Sequence, residues 1–331
     1  MYKQAVYLCV ILFLVASCER AELPVKLPPK PIEALRVLQV DLGEDYSLQK
    51  YINLFDTPSV KSSFETNNWD LSFECGKYGF RIFQNGGKGI LTAEVGSEYL
   101  TRLGSNNTLK WQFDAAGGGD SIALLNWCDS KFTSNKKVYA IDLGIGNSPR
   151  YFQFKVLSVN ENQYELEVAN ARGEEIKQVV VGKNNNKHLV YYNFSTNRVL
   201  DQEPEINNWH FSFLRYRFIY YEFTPPLQYI VTGIFINPNT ISVAVDSTLI
   251  FENINLETVT NLTFSTRRDA MGFDWKIYDF NSGRYLTRKY VNYIIKLNQP
   301  IPTYYKLRFT DFYSSVGLKG SPKFEFVKIN P

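Results

Sequence analysis

The chain is poor in the residues that most reactions need: its 331 residues include two His, two Met and four Cys. A Ser-His-Asp or Cys-His arrangement could draw only on His188 or His210, and no nucleophile-elbow pattern surrounds either. No basic tract is present. Lys and Arg number 36 against 33 Asp and Glu, mixed along the chain, so nucleic acid and anionic membranes find no patch to select. The glycine-rich segments Gly86-Gly87-Lys88-Gly89 and Gly117-Gly118-Gly119 lack the Lys-Ser/Thr that follows a phosphate cradle. They read as turns, because Gly is the default residue at positive φ. No long stretch repeats apolar residues at i, i+3, i+4, i+7. Asp and Glu are plentiful, yet nothing singles out the carboxylate pair of a glycosidase. The chain therefore reads as a protein that is no enzyme, with no nucleotide and no structural metal.

What is present points to strands and export. Aromatic residues make up 15%, mostly 24 Phe and 22 Tyr, and such residues favour pleated, half-buried surfaces. Lys3 precedes an apolar run over residues 6–15, too short for the roughly 20 residues of a membrane span and suited to an export signal. Val15-Ala16-Ser17-Cys18 looks like a bacterial lipobox, which makes Cys18 the expected lipidation site and residues 1–17 the signal peptide. Residues 18–33 carry Pro24, Pro28, Pro29 and Pro31 and suit a tether. An exported, outer-membrane lipid-anchored protein is expected. Export permits a disulfide, and Cys75 with Cys128 is the candidate; the alternative is two buried free thiols. Two Cys without matched His spacing make no zinc site.

One phrase occurs twice. Asn67-Asn68-Trp69-Asp70-Leu71-Ser72-Phe73 returns as Asn207-Asn208-Trp209-His210-Phe211-Ser212-Phe213. Further segments match in the same order: 34–42 with 188–194, 124–127 with 272–275, 138–143 with 291–297, 151–156 with 304–309, and 163–168 with 323–328. Conserved order argues for tandem duplication, with domains at 34–183 and 184–331 joined through the polar run 182–187. Trp69, Leu71 and Phe73 alternate with Asp70 and Ser72, the period of a strand with one buried face. The expected fold is all-β: two tandem antiparallel sandwich or barrel-like domains after a signal peptide and short linker.

The Trp-Asp-x-x-Phe strand at Trp69, followed by Asn85-Gly86-Gly87, resembles the HmuY-like lipoproteins of the Bacteroidetes. So does the closing part, Tyr305-Lys306-Leu307-Arg308-Phe309, Gly317-Leu318-Lys319-Gly320 and Phe324-Glu325-Phe326. The resemblance implies haem capture at the cell surface on an all-β fold, beside a TonB-dependent receptor. Haem iron needs an axial donor from His, Met, Cys or Tyr, and the expected first domain has neither His nor Met. The candidate ligands are therefore His210, His188 and Met271. Each has a plainer reading: a hydrogen-bonding or surface residue, a solvated boundary residue and an apolar filler. The aromatic run 216–223 could line a porphyrin slot or simply alternate in a strand. Arg215, Arg217, Arg267 and Arg268 could meet propionates or face solvent. The rival expectation is a surface lipoprotein that binds a protein or glycan and no tetrapyrrole.

Overall fold

Alternating apolar residues and Asn/Gly turns produce a chain built of short antiparallel strands. The computed structural model describes residues 34–54, 59–104, 108–119 and 121–330. The expected signal peptide, Cys18 and the tether lie outside the described residues. The early strands are β1 (Arg36–Gln39), β2 (Leu48–Asn53), β3 (Ser59–Glu65), β4 (Leu71–Glu74), β5 (Ile82–Gln84) and β6 (Leu91–Gly96). Next come β7 (Val138–Asp142), β8 (Tyr151–Val159), β9 (Gln163–Asn170), β10 (Lys177–Gly182), β11 (Leu189–Asn193) and β12 (Arg198–Leu200). The remainder are β13 (Phe211–Tyr220), β14 (Leu227–Ile236), β15 (Ile241–Asp246), β16 (Lys276–Asp279), β17 (Arg284–Thr287), β18 (Asn292–Leu297), β19 (Thr303–Tyr313) and β20 (Lys319–Ile329).

These strands form two five-stranded sheets, ordered β10-β9-β8-β7-β6 and β1-β20-β19-β18-β15. Two four-stranded sheets accompany them, β12-β11-β4-β5 and β3-β2-β13-β14, and β16 with β17 forms a two-stranded sheet. The paired orders repeat one plan, with β1 in the place of β10, β2 in that of β11 and β3 in that of β12. Two large cores result. One gathers Leu71, Phe73, Trp127, Phe154, Tyr164 and Phe194; the other gathers Leu42, Ile52, Phe213, Trp275, Phe309 and Phe324. Burying a side chain of this size stabilises by roughly 1.5–3 kcal/mol relative to exposure.

The sheets do not part at the expected 183/184 boundary. Leu189–Asn193 pairs with β4, across that boundary, and the early strands β1 and β2 pair with β20 and β13. Residues 34–331 cluster as one compact unit. The reason is a one-strand offset. The match of 34–42 with 188–194 set β1 against β11, whereas sheet position sets β2 against β11.

The expected Cys75–Cys128 disulfide is absent; both thiols are free. Cys75 directly follows β4, with its N–H donating to His188 O, while Cys128 bridges to Ser134 in a separate turn. Both pack into the first core as small hydrophobes. Burial raises each thiol to about 11.

Candidate functional site

The repeated phrase marks the seam between the two cores. In each copy a short 3-10 turn, Thr66–Asn68 or Ile206–Asn208, delivers a Trp. A buried Asn then ties that turn down. Asn85 Nδ2 donates to the carbonyls of Thr66 (2.6 Å) and Trp69 (2.9 Å). Asn237 Nδ2 donates to those of Ile206 (2.7 Å) and Trp209 (3.2 Å). A second Asn closes the far side: Asn193 Nδ2 donates to Asn68 O and Asn53 Nδ2 to Asn208 O, both at 2.9 Å.

The slot after each Trp has one task in both copies. Asp70 Oδ2 accepts the N–H of Phe194 at 2.7 Å, and His210 Nδ1 accepts that of Leu54 at 2.9 Å. A buried amide without a partner costs about 1–3 kcal/mol, which explains an acceptor at this position. Asp70 also binds Lys88 Nζ. Burial raises the Asp70 carboxyl, with Lys88 opposing the rise. Burial lowers His210 to about 4, so its imidazole is neutral and Nδ1 can accept.

Where the halves meet, Tyr51 and Tyr191 touch hydroxyl to hydroxyl at 2.7 Å. Each ring meets a Trp edge-on: Tyr191 with Trp69 at 5.0 Å, and Tyr51 with Trp209 at 4.7 Å. The polar chain runs on. Gln49 Nε2 donates to Tyr51 Oη (3.0 Å), Tyr191 Oη donates to Glu203 Oε2 (3.0 Å), and His188 N–H donates to Glu203 Oε1 (3.0 Å). Glu203 is 1% exposed; burial raises its carboxyl to about 8, with the bonds from Tyr191 and His188 opposing.

The Asn85-Gly86-Gly87 turn crosses the seam too. A Cβ on Gly86 would meet Arg217 N at 2.8 Å, and one on Gly87 would meet Arg215 O at 2.4 Å. Only glycine lets that turn lie against β13. Nearby, Arg268 donates to the carbonyls of Ala115 and Ala116 and lies between the rings of Phe83 and Phe235. Asp114 accepts the N–H groups of Gln84 and Ala123, and burial lifts it to about 6 against the pull of Arg268 and Arg217.

A cavity of about 90 Å³ opens at this seam, lined by Trp69, Trp209, Tyr51, Tyr191, Glu203, His188 and the guanidinium-bearing Arg215, Arg217 and Arg268. Of the candidate haem ligands it reaches only His188, which is half-buried with Nδ1 3.1 Å from Asn239 Nδ2. His188 is no boundary residue, since it sits directly before β11 within the sheet seam. Met271 is 2% exposed in the second core, and His210 is fully enclosed. Haem does not fit this arrangement. Two of the three donors are sealed in packed structure, and drug-sized pockets run to roughly 300–1,000 Å³. Among the described residues no cluster of His, Cys, Asp or Glu could hold a metal ion. Sequence reasoning marks Trp69 and Trp209 through the repeated phrase but misses the seam tyrosines and Glu203. The echo of Tyr51-Ile52-Asn53-Leu54 in Tyr191-Tyr192-Asn193-Phe194 was the signal that could have found them.

No family model matches the chain, and no curated protein does. Among solved structures, the chain is similar to a Bacteroides vulgatus protein provisionally named as HmuY-like and heme binding. Identity is 16% and the TM-score 0.23, over 42% of this chain and 83% of that one. A likeness this partial carries no argument about the site.

Proposed function

We propose that this chain is a non-enzymatic, exported and lipid-anchored binding protein whose partner is a protein or glycan rather than a tetrapyrrole. The carrying observation is the placement of the three candidate ligands: His210 serves the Leu54 amide, Met271 fills the core, and His188 alone of the three lines the seam cavity, where the Tyr51 and Tyr191 hydroxyls are engaged with each other. The Nδ1 of His188 lies against Asn239 Nδ2 and that of His210 accepts the Leu54 N–H. A partner surface is available on two hairpins. Tyr221, Phe223 and Tyr229 of β13–β14 and Tyr278 and Phe280 of β16–β17 are all exposed, Phe280 at 89%. Exposed aromatic clusters mark interaction surfaces.

The test is a haemin titration of the purified chain followed by visible absorbance. The expected spectrum is that of free haemin at every ratio. A saturable, red-shifted Soret band at one equivalent, lost in His188→Ala, would overturn the proposal.

A further inference from the structure

The seam cavity carries polar groups that the fold does not use. Trp69 and Trp209, 7% and 4% exposed, line it, and neither indole Nε1 meets a hydrogen-bond acceptor among the described residues. Arg217 Nη1, on a residue 7% exposed, has no acceptor, and Gln49 Oε1, on a residue 3% exposed, has no donor. Indole nitrogen and guanidinium only donate. Buried groups of this kind are almost always satisfied in native proteins, so an orphan set points to water, an ion or a ligand.

The charges select among these. Arg215, Arg217 and Arg268 line the cavity together with Asp114 and Glu203. With Glu203 raised to about 8, it is mostly neutral at pH 7, so the three guanidinium groups outweigh Asp114. Arg268 has its Nε and Nη2 donors committed to Ala116 and Ala115, whereas Arg217 keeps Nη1 free. A cavity of about 90 Å³ holds roughly six water-sized positions at ~15 Å³ each. Its walls are largely apolar: Leu214, Tyr216, Phe235 and Ile236 join the indoles. A ligand that meets this inventory is anionic and small, offers several acceptors, supplies one donor to Gln49 and carries a short hydrocarbon body.

We propose that the seam cavity binds a small hydroxycarboxylate the size of lactate, its carboxylate taken by Arg217 with the Trp69 and Trp209 indoles and its hydroxyl by Gln49. This rests on the reading of the chain as a binding protein and adds a small-molecule site to it. The indoles make the site its own reporter. Titration of the full chain with lactate, followed by tryptophan fluorescence, is expected to give a saturable change. Lactamide, which has the same shape without the charge, should bind at least tenfold more weakly. Arg217→Met should weaken lactate at least tenfold, and Gln49→Met should weaken lactate but not propionate. If either variant fails to fold, the lactate–lactamide comparison on the unaltered chain decides alone. No saturable change at high millimolar lactate, or equal responses to lactate and lactamide, would overturn the proposal and leave a cavity filled by water. A haemin Soret shift would sink the preceding reading whatever lactate does. A free-haemin spectrum with no lactate response would sink this proposal only.

Discussion

Replacing Glu203 with Gln changes one charge and almost no shape, and the structure sets what should follow. Glu203 Oε1 accepts the His188 N–H and Oε2 meets Tyr191 Oη. Glutamine can keep both contacts, with its carbonyl accepting from His188 and its amide donating to Tyr191. What it removes is titration. The folded carboxyl is raised from 4.5 to about 8 by complete burial. Between those two values the folded state holds a proton that the unfolded state releases. This contribution is therefore fully present below pH 4.5 and is lost as pH rises through about 8. At ~1.4 kcal/mol per pH unit, the loss reaches about 4 kcal/mol by pH 8 and stays under about 1 kcal/mol at pH 5. Asp114, raised to about 6, falls in the same window with the same sign, so only the difference between variant and parent isolates Glu203. Denaturant unfolding at pH 5, 6.5 and 8 measures it. The stability of Glu203→Gln relative to the parent should grow by about 3–4 kcal/mol across that range. Parallel pH profiles would refute the argument, since they would mean that Glu203 is ionised and solvated in the folded chain.

Other consequences are equally direct. His210→Ala should cost roughly 1–3 kcal/mol by stranding the Leu54 amide and leave the haemin spectrum unmoved, read by unfolding and absorbance on one preparation. Gly87→Ala should cost about 1–3 kcal/mol or more, because its Cβ would sit 2.4 Å from Arg215 O; Gly182→Ala, with nothing within 4 Å, should stay within about 0.5 kcal/mol. Tyr51→Phe and Tyr191→Phe should be non-additive by roughly 0.5–3 kcal/mol in a double-mutant cycle, and additive losses would count against the 2.7 Å contact. Alkylation without reductant should leave Cys75 unlabelled in the folded chain and label it with Cys128 on unfolding; mass mapping that finds the two linked would restore the disulfide.

Strand type was legible because it is local. Leu71 and Phe73 alternate with Ser72, and the sequence period of two is the pleat itself. Trp127 and Trp275, matched from sequence, are both fully enclosed, each in its own core. Which strand closes which sheet was not legible in the same way. β2 reaches β13 across about 160 residues, and no local feature of Leu48–Asn53 names that partner. A linear reading therefore cut the chain at its most polar run, when the early strands in fact complete the later core.

His210 takes the hydrogen-bonding role that was one of its plainer readings, and its burial is what the local pattern hides. Read locally, it falls on the face opposite Phe211 and Phe213, where a surface position, a hydrogen-bonding role or a ligand contact are all open. In the fold that face is covered by Leu54, whose amide needs an acceptor. Asp70 answers the same demand from Phe194 in the other copy. The demand is set by a backbone amide, which any residue supplies, so the acceptor can change from carboxylate to imidazole while the geometry stays. The substitution that looked most like acquired chemistry is thus the one the backbone explains most completely. Residues with unspent chemistry lie instead where the two cores meet, on Trp69, Trp209, Gln49 and Arg217. Gln49 on β2, Arg217 on β13 and Trp209 just before β13 stand on one side of the seam, and Trp69, just before β4, stands on the other. A site of that composition forms only once the early strands have closed the later core, which ties any ligand of the cavity to the completed fold rather than to either half.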